Sequence, residues 1–141
     1  MDIKSVMNKN VVIAKKDITL KEATEVMTKL HIGCLVITEN QKILGIITSS
    51  DILKAIANDK NPKTVLAEEI MSKNVITIDP DKRIEDAVNL MMKYGIKKLP
   101  VVSDDKIEGI ITASDIIVVE PKLIATVASL ISLKMPGYTG G

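Results

Sequence analysis

The chain has 141 residues, 46% hydrophobic and 26% charged, the balance of a globular protein long enough to bury a real core rather than of a disordered or fibrous one. The formal charge is +1, and Phe and Trp are absent beside two Tyr, so neither a basic field nor aromatic stacking platforms are at hand to recruit nucleic acid. A single Cys and a single His exclude an internal disulfide and suggest no transition-metal site or nucleophile dyad.

The first residues, Met1-Asp2-Ile3-Lys4, lack the apolar core of a signal peptide, and the uncharged run at 123–133 is too short to span a bilayer. A cytoplasmic protein with no membrane partner is expected. A short helix is expected at 2–7 and a β-rich run at 11–14. Thr19-x-x-Glu22 then gives a helix-start signal, followed by Ala23, Val26, Met27 and Leu30 at the spacing of one helical face. Gly33 is expected to stop that helix, with His31 acting as a C-terminal cap. Strands follow at 34–38 and 43–48 across the polar turn Glu39-Asn40-Gln41, and a helix runs from Ser49 to about Asn58. A polar hinge, Asn58 to Lys63, separates this from a second copy.

That copy opens with a short helix at 64–71 and a β-rich run at 75–78. A helical face of Ala87, Leu90, Met91 and Tyr94 follows, with a stop at Gly95. Strands at 98–102 and 106–112 flank Asp104-Asp105, and a helix begins at Ala113. Laid over itself at a shift of 64, the sequence aligns without a gap from Val6/Ile70 to Ile52/Ile116. One unit of strand, helix, strand, strand, helix is used twice. Beyond Pro121, Leu123, Val127, Leu130 and Ile131 mark one face of a last helix that either caps the core or meets another subunit, and a flexible tail is expected from Met135.

The most specific repeated stretch is Gly45-Ile46-Ile47-Thr48-Ser49-Ser50-Asp51, which returns as Gly109-Ile110-Ile111-Thr112-Ala113-Ser114-Asp115. Each reads as a strand turning directly into a helix, where unpaired N–H groups and the positive end of the helix dipole suit a phosphate or a ribose. Thr-x-x-Asp is equally a capping box, which satisfies the same donors with no ligand.

Together with Lys97-Lys98-Leu99-Pro100-Val101-Val102 and the Val6-Met7 and Ile70-Met71 leads, these stretches resemble a tandem pair of CBS domains, the regulatory module named after cystathionine β-synthase. The resemblance covers nearly all of residues 2–120. It implies an α/β fold of two β-α-β-β-α repeats packed about a pseudo-twofold axis with an extra C-terminal helix, divided as 1–60, 61–120 and 121–141. It also implies two clefts for an adenosine ligand. The main one takes Thr112, Ser114 and Asp115 with Val11 and Val12 on the adenine edge and Lys97 and Lys98 near phosphate. The second takes Thr48, Ser50 and Asp51 with Val75 and Ile76.

A carboxylate can accept from both hydroxyls of a ribose, and extended backbone can meet a purine edge. The expected function is a stand-alone, non-catalytic, energy-sensing module. It would bind AMP, or ADP, ATP or an S-adenosylmethionine-type compound, form a homodimer and signal to an unidentified effector protein. The alternatives are a nucleic-acid-binding module, disfavoured by the neutral charge, and a purely structural dimerisation module. Catalysis is not expected, because no nucleophile with its base, metal set or paired carboxylates in one cleft is apparent.

Overall fold

The computed structural model describes residues 1–133, with side chains through Leu130. The expected tail from Met135 and the side chain of Ile131 lie outside the described residues. In chain order the elements are α1 (Ile3–Val6), β1 (Ile13–Ala14), α2 (Leu20–Leu30), β2 (Cys34–Glu39), β3 (Lys42–Thr48), α3 (Ser49–Ala57) and α4 (Ala67–Ile70). The second copy continues with α5 (Ile84–Tyr94), β4 (Lys98–Ser103), β5 (Lys106–Thr112) and α6 (Ala113–Val119), and a 3-10 turn (Pro121–Leu123) leads into α7 (Ile124–Leu133). The fold is therefore α/β, and the order expected from the sequence recurs in both copies except that no strand forms at 75–78. No helix among the described residues is long and apolar enough to cross a membrane.

The chain forms two compact units that trade their leading segments. One comprises Met1–Asn10, Ile76–Asp104 and the chain from Glu108; the other comprises Val11–Val75 with Asp105–Ile107. In the first, the Ile3 amide donates to Lys82 O at 2.8 Å and the Ile84 amide to Met1 O at 3.1 Å. The second repeats both bonds with residues 64 places along: Ala67 N–H to Ile18 O at 2.8 Å, and Leu20 N–H to Val65 O at 2.9 Å. The lead of each sequence repeat is thus built onto the body of the other.

In the unit containing Val11–Val75, β1 pairs parallel with β2 and β2 antiparallel with β3. Its core is Leu20, Ala23 and Met27 from α2, Leu35, Ile37 and Ile47 from the sheet, Ile52 and Ala55 from α3, and Ala67 from α4. In the other unit β4 and β5 form a two-stranded sheet. The run expected as a strand at 75–78 contracts there to a single parallel bridge, Ile78 to Val101. The reason is one residue: Val36 donates its N–H to Val12 O at 3.2 Å, whereas the matching position is Pro100, which has no N–H to give.

The core of this unit gathers Ile3, Ile84, Met91, Leu99, Val101, Ile111 and Ile116, and α7 adds Val127 and Leu130. The last helix therefore covers this core through those two residues. Each fully buried Leu or Ile contributes about 1.5–3 kcal/mol.

Local chemistry sets the boundaries. Thr19 and Glu22 form a complete capping box on α2. That helix does not run on to Gly33 as expected: it stops at His31, held left-handed at φ 54, as α5 stops at Gly95 with φ 63. Both ends close by the same bond, Ile32 N–H to Met27 O and Ile96 N–H to Met91 O, each 3.0 Å. The hairpin residues Asn40 and Gln41 (φ 53 and 69) and Asp104 and Asp105 (φ 51 and 63) are paired left-handed conformers. These are the turns whose twist matches that of the strands they join.

Candidate functional site

The strand-to-helix corners form for local reasons in both units. At the end of β3, Thr48 caps α3: the Asp51 amide donates to Thr48 Oγ1 at 3.3 Å. Asp51 Oδ2 accepts from the Thr48 amide at 2.8 Å and from its hydroxyl at 3.0 Å. At the end of β5, the Asp115 amide donates to Thr112 Oγ1 at 3.1 Å, and Asp115 Oδ2 accepts from the Thr112 amide at 3.0 Å. The reading of these residues as helix caps is thus correct.

The caps leave acceptors and donors over. In each aspartate the cap uses Oδ2, and Oδ1 has no hydrogen-bond partner among the described residues. Both carboxylates are half-buried, while Ser50 and Ser114, next to them on the first turn, are exposed. A half-buried carboxylate oxygen beside an exposed hydroxyl and the positive end of a helix can accept from a diol or orient an anion.

The first amide of each helix is tied to the residue just before the first strand of its hairpin, β2 or β4. Ser49 N–H donates to Gly33 O at 3.0 Å, and Ala113 N–H donates to Lys97 O at 2.9 Å. The same backbone contact thus brings a glycine to one corner and an exposed lysine to the other, with half-buried Lys98 following as the first residue of β4.

Thr112, Ser114, Asp115, Lys97 and Lys98 consequently stand in one unit, and Thr48, Ser50, Asp51 and Val75 in the other. Val11 and Val12 belong to the unit of Asp51, and Ile76 to the unit of Asp115. All four are half-buried and precede the first paired residue of their runs, although Val12 O accepts from Val36. A groove of about 310 Å³ lined by Ile78, Leu90, Lys82 and Lys93, with Asp86 and Asn89, contains none of the site residues expected from the sequence.

Sequence reasoning missed Met7 and Met71 as part of these corners. Each lies against the glycine that opens the repeated phrase, Met7 at Gly109 and Met71 at Gly45. The signal was present, since both Met and Gly recur at the 64-residue shift, but no local rule joins them.

Comparison with known proteins agrees with the duplicated build. The family model described as "CBS domain" matches twice, over residues 3–58 and 67–121. A protein of Methanopyrus kandleri is 39% identical over 125 residues, spanning 82% of this chain and 64% of that one. The L-aspartate semialdehyde sulfurtransferase of Methanocaldococcus jannaschii is 40% identical over 116 residues, spanning 81% of this chain but 22% of the enzyme. The chain thus covers under two thirds of the length of both relatives. Among solved structures, the CBS domain pair of protein MJ0100 in complex with 5′-methylthioadenosine and S-adenosyl-L-methionine superposes with a TM-score of 0.78. It is 36% identical over 84% of this chain and 98% of that one. Two matched domains, in a chain whose two halves build the same corner, make this protein a member of the CBS domain family that carries a pair of such domains.

Proposed function

We propose that the pair is a non-catalytic sensor that binds an adenosine compound at the Asp115 and Asp51 corners and reports its occupancy to a partner protein. The observation that carries this reading is the half-used carboxylate. In both copies one oxygen holds the helix cap while Oδ1 stays unpaired beside an exposed serine. A ribose diol offers two donors to such an acceptor. The similarity to a pair solved with 5′-methylthioadenosine and S-adenosyl-L-methionine, both adenosine compounds, supports the ligand class.

Val11 and Val12 would serve the adenine edge for the Asp115 corner, and Val75 and Ile76 for the Asp51 corner. Lys97 and Lys98 favour a phosphate at the Asp115 corner, and hence AMP over adenosine there. The repeats 1–60 and 61–120, with 121–141 appended, are the units of duplication in this reading. A second copy of the chain would cover apolar side chains such as Leu53 (70% exposed) and Val118 (79%).

A thermal-shift panel of AMP, ADP, ATP, adenosine, 5′-methylthioadenosine and S-adenosyl-L-methionine tests the ligand class. A compound that binds only the folded state at 100 times its Kd adds about 2.7 kcal/mol, which raises the melting temperature by several degrees. No shift with any of the six, or a shift that survives loss of both aspartate charges, would overturn the reading.

A further inference from the structure

Each leading segment crosses the strand before a corner at the point where that strand lacks a side chain. A Cβ on Gly109 would lie 2.6 Å from Met7 Sδ, 2.9 Å from Met7 Cγ and 3.0 Å from Asn8 O. A Cβ on Gly45 would lie 2.6 Å from Met71 Sδ, 2.8 Å from Met71 Cγ and 2.8 Å from Ser72 O. The thioether therefore rests on bare backbone, a fit that only glycine permits at these two places.

The following residue of each lead then pairs with the strand in both directions. Asn8 N–H donates to Ile110 O at 2.8 Å and Ile110 N–H returns to Asn8 O at 3.0 Å. Ser72 and Ile46 do the same at 2.9 and 3.0 Å. Two residues beyond Ile110 stands Thr112, whose amide holds Asp115 Oδ2, and two beyond Ile46 stands Thr48, whose amide holds Asp51 Oδ2.

We propose that Met7 and Met71 are positioning residues, Met7 for the Asp115 corner and Met71 for the Asp51 corner. Each acts by seating the lead that fixes the last residues of β5 or β3. The chain of cause is short. The methionine sets the lead on the strand, the strand sets the threonine amide, and that amide aims the carboxylate. Because the contact is made separately in each unit, disturbing one lead loosens its own corner and leaves the other intact. The binding side of this inference rests on the adenosine reading above, whereas the mechanical side does not.

The test uses Gly109→Ala, which drives a methyl group into Met7. In an Asp51→Asn background, where the Asp115 corner alone is left to bind, calorimetric titration with AMP and with S-adenosyl-L-methionine should show affinity about tenfold weaker than without Gly109→Ala. In an Asp115→Asn background the same substitution should leave affinity unchanged, and Gly45→Ala should give the reciprocal pattern. Met7→Ala alone, which removes the thioether without adding a methyl group, should weaken affinity about threefold in the Asp51→Asn background and leave it unchanged in the Asp115→Asn background. Equal losses in both backgrounds, no loss with Gly109→Ala, or no loss with Met7→Ala would overturn the proposal.

Amide hydrogen exchange without ligand separates this inference from the functional one. Gly109→Ala should speed exchange at Thr112 and Asp115 and spare Thr48 and Asp51, a contrast expected even if the parent chain binds neither probe. Uniform acceleration at all four amides would show a merely global loss of stability and refute the positioning role.

Discussion

The Asp51 and Asp115 corners are built alike, with a threonine cap, an aspartate that reaches back to the cap's amide, and a first helical amide tied to a carbonyl just before the first strand of the hairpin. They differ in which residue owns that carbonyl: Gly33 at one corner and Lys97 at the other. Duplication has kept the backbone geometry that makes a corner and let the side chain beside it diverge. What the two corners share is fixed by main-chain bonds and by the threonine and aspartate of the cap, and therefore tolerates substitution elsewhere around it. What distinguishes them in charge is the pair Lys97 and Lys98, where the other corner has Gly33 and Cys34, and that difference can change ligand preference without changing the fold.

The largest effects should fall on the shared scaffold and be alike in both units. Ile47 and Ile111 occupy matched places, one residue before the caps, and both are fully buried. Ile47→Ala and Ile111→Ala should each cost about 2–5 kcal/mol, the transfer of the side chain plus the cavity it leaves. Urea titration of the two variants measures this. A cost below 1 kcal/mol at either site would show that its core is looser than the burial implies.

Next in size is the aspartate itself. Asp115→Asn keeps an oxygen for the cap but gives up the charge, so it separates the two roles that Asp115→Ala would confound. A hydrogen bond to a charged acceptor is worth about 1.5–3 kcal/mol, so adenosine-compound affinity at that corner should fall about tenfold to a hundredfold while the fold persists. Calorimetric titration with a parallel melting curve reads both quantities. Unchanged affinity would leave Asp115 a helix cap and nothing more.

Smaller again is the effect of the residue that differs. Exchanging the pair, Lys97→Gly with Gly33→Lys, should transfer any preference for AMP over adenosine from the Asp115 corner to the Asp51 corner. An exposed charge contributes about 0.2–1 kcal/mol, so the shift is up to about fivefold, and it should fade in high salt. Titrations of AMP and adenosine at low and high ionic strength make the comparison. A preference that stays with Asp115 after the exchange would place its origin elsewhere.

Most of this architecture was legible because the sequence repeats local signals. Thr-x-x-Asp states a cap within four residues, and paired polar residues between β-branched runs state a hairpin. Helix α6 runs from Ala113 to Val119, as its pattern indicates. The trade of leading segments was not legible, because it depends on contacts such as Met7 with Gly109, a hundred residues apart, that no periodicity encodes. The shortened strand at 75–78 was hidden for a related reason. Its own residues are good strand formers, but the missing donor is Pro100 on the neighbouring strand. The helix end at His31 was partly legible: its alignment with Gly95 indicated a cap, yet Gly33 offered the stronger local stop signal. At the corners, the threonines and aspartates stood out because two copies agreed, whereas the methionines seated on their strands looked like ordinary core.

The least of these effects compares the starts of α2 and α5. Thr19 gives α2 a hydroxyl that accepts from the Glu22 amide at 3.1 Å, while Glu22 Oε1 accepts from the Thr19 amide and hydroxyl at 3.0 Å each. At α5 the matching residue is Arg83, which has no side-chain acceptor, so only the return bond from Asp86 is made. The Thr19 backbone bond, and then its hydroxyl, hold the Glu22 carboxyl below its ordinary value of 4.5. A carboxyl whose pKa is lower in the folded state stabilises the fold above its unfolded value, and that help disappears as the pH falls through the folded value. Glu22→Gln retains an oxygen for the Thr19 amide but cannot titrate. The stability difference between parent and variant should therefore be constant from pH 7 to about pH 5 and shrink below about pH 4.5. Urea midpoints across that range measure it. Because Glu22 is exposed, the change is small, and a difference that instead grew on acidification would mean that the carboxyl is held by its neighbours in the protonated form.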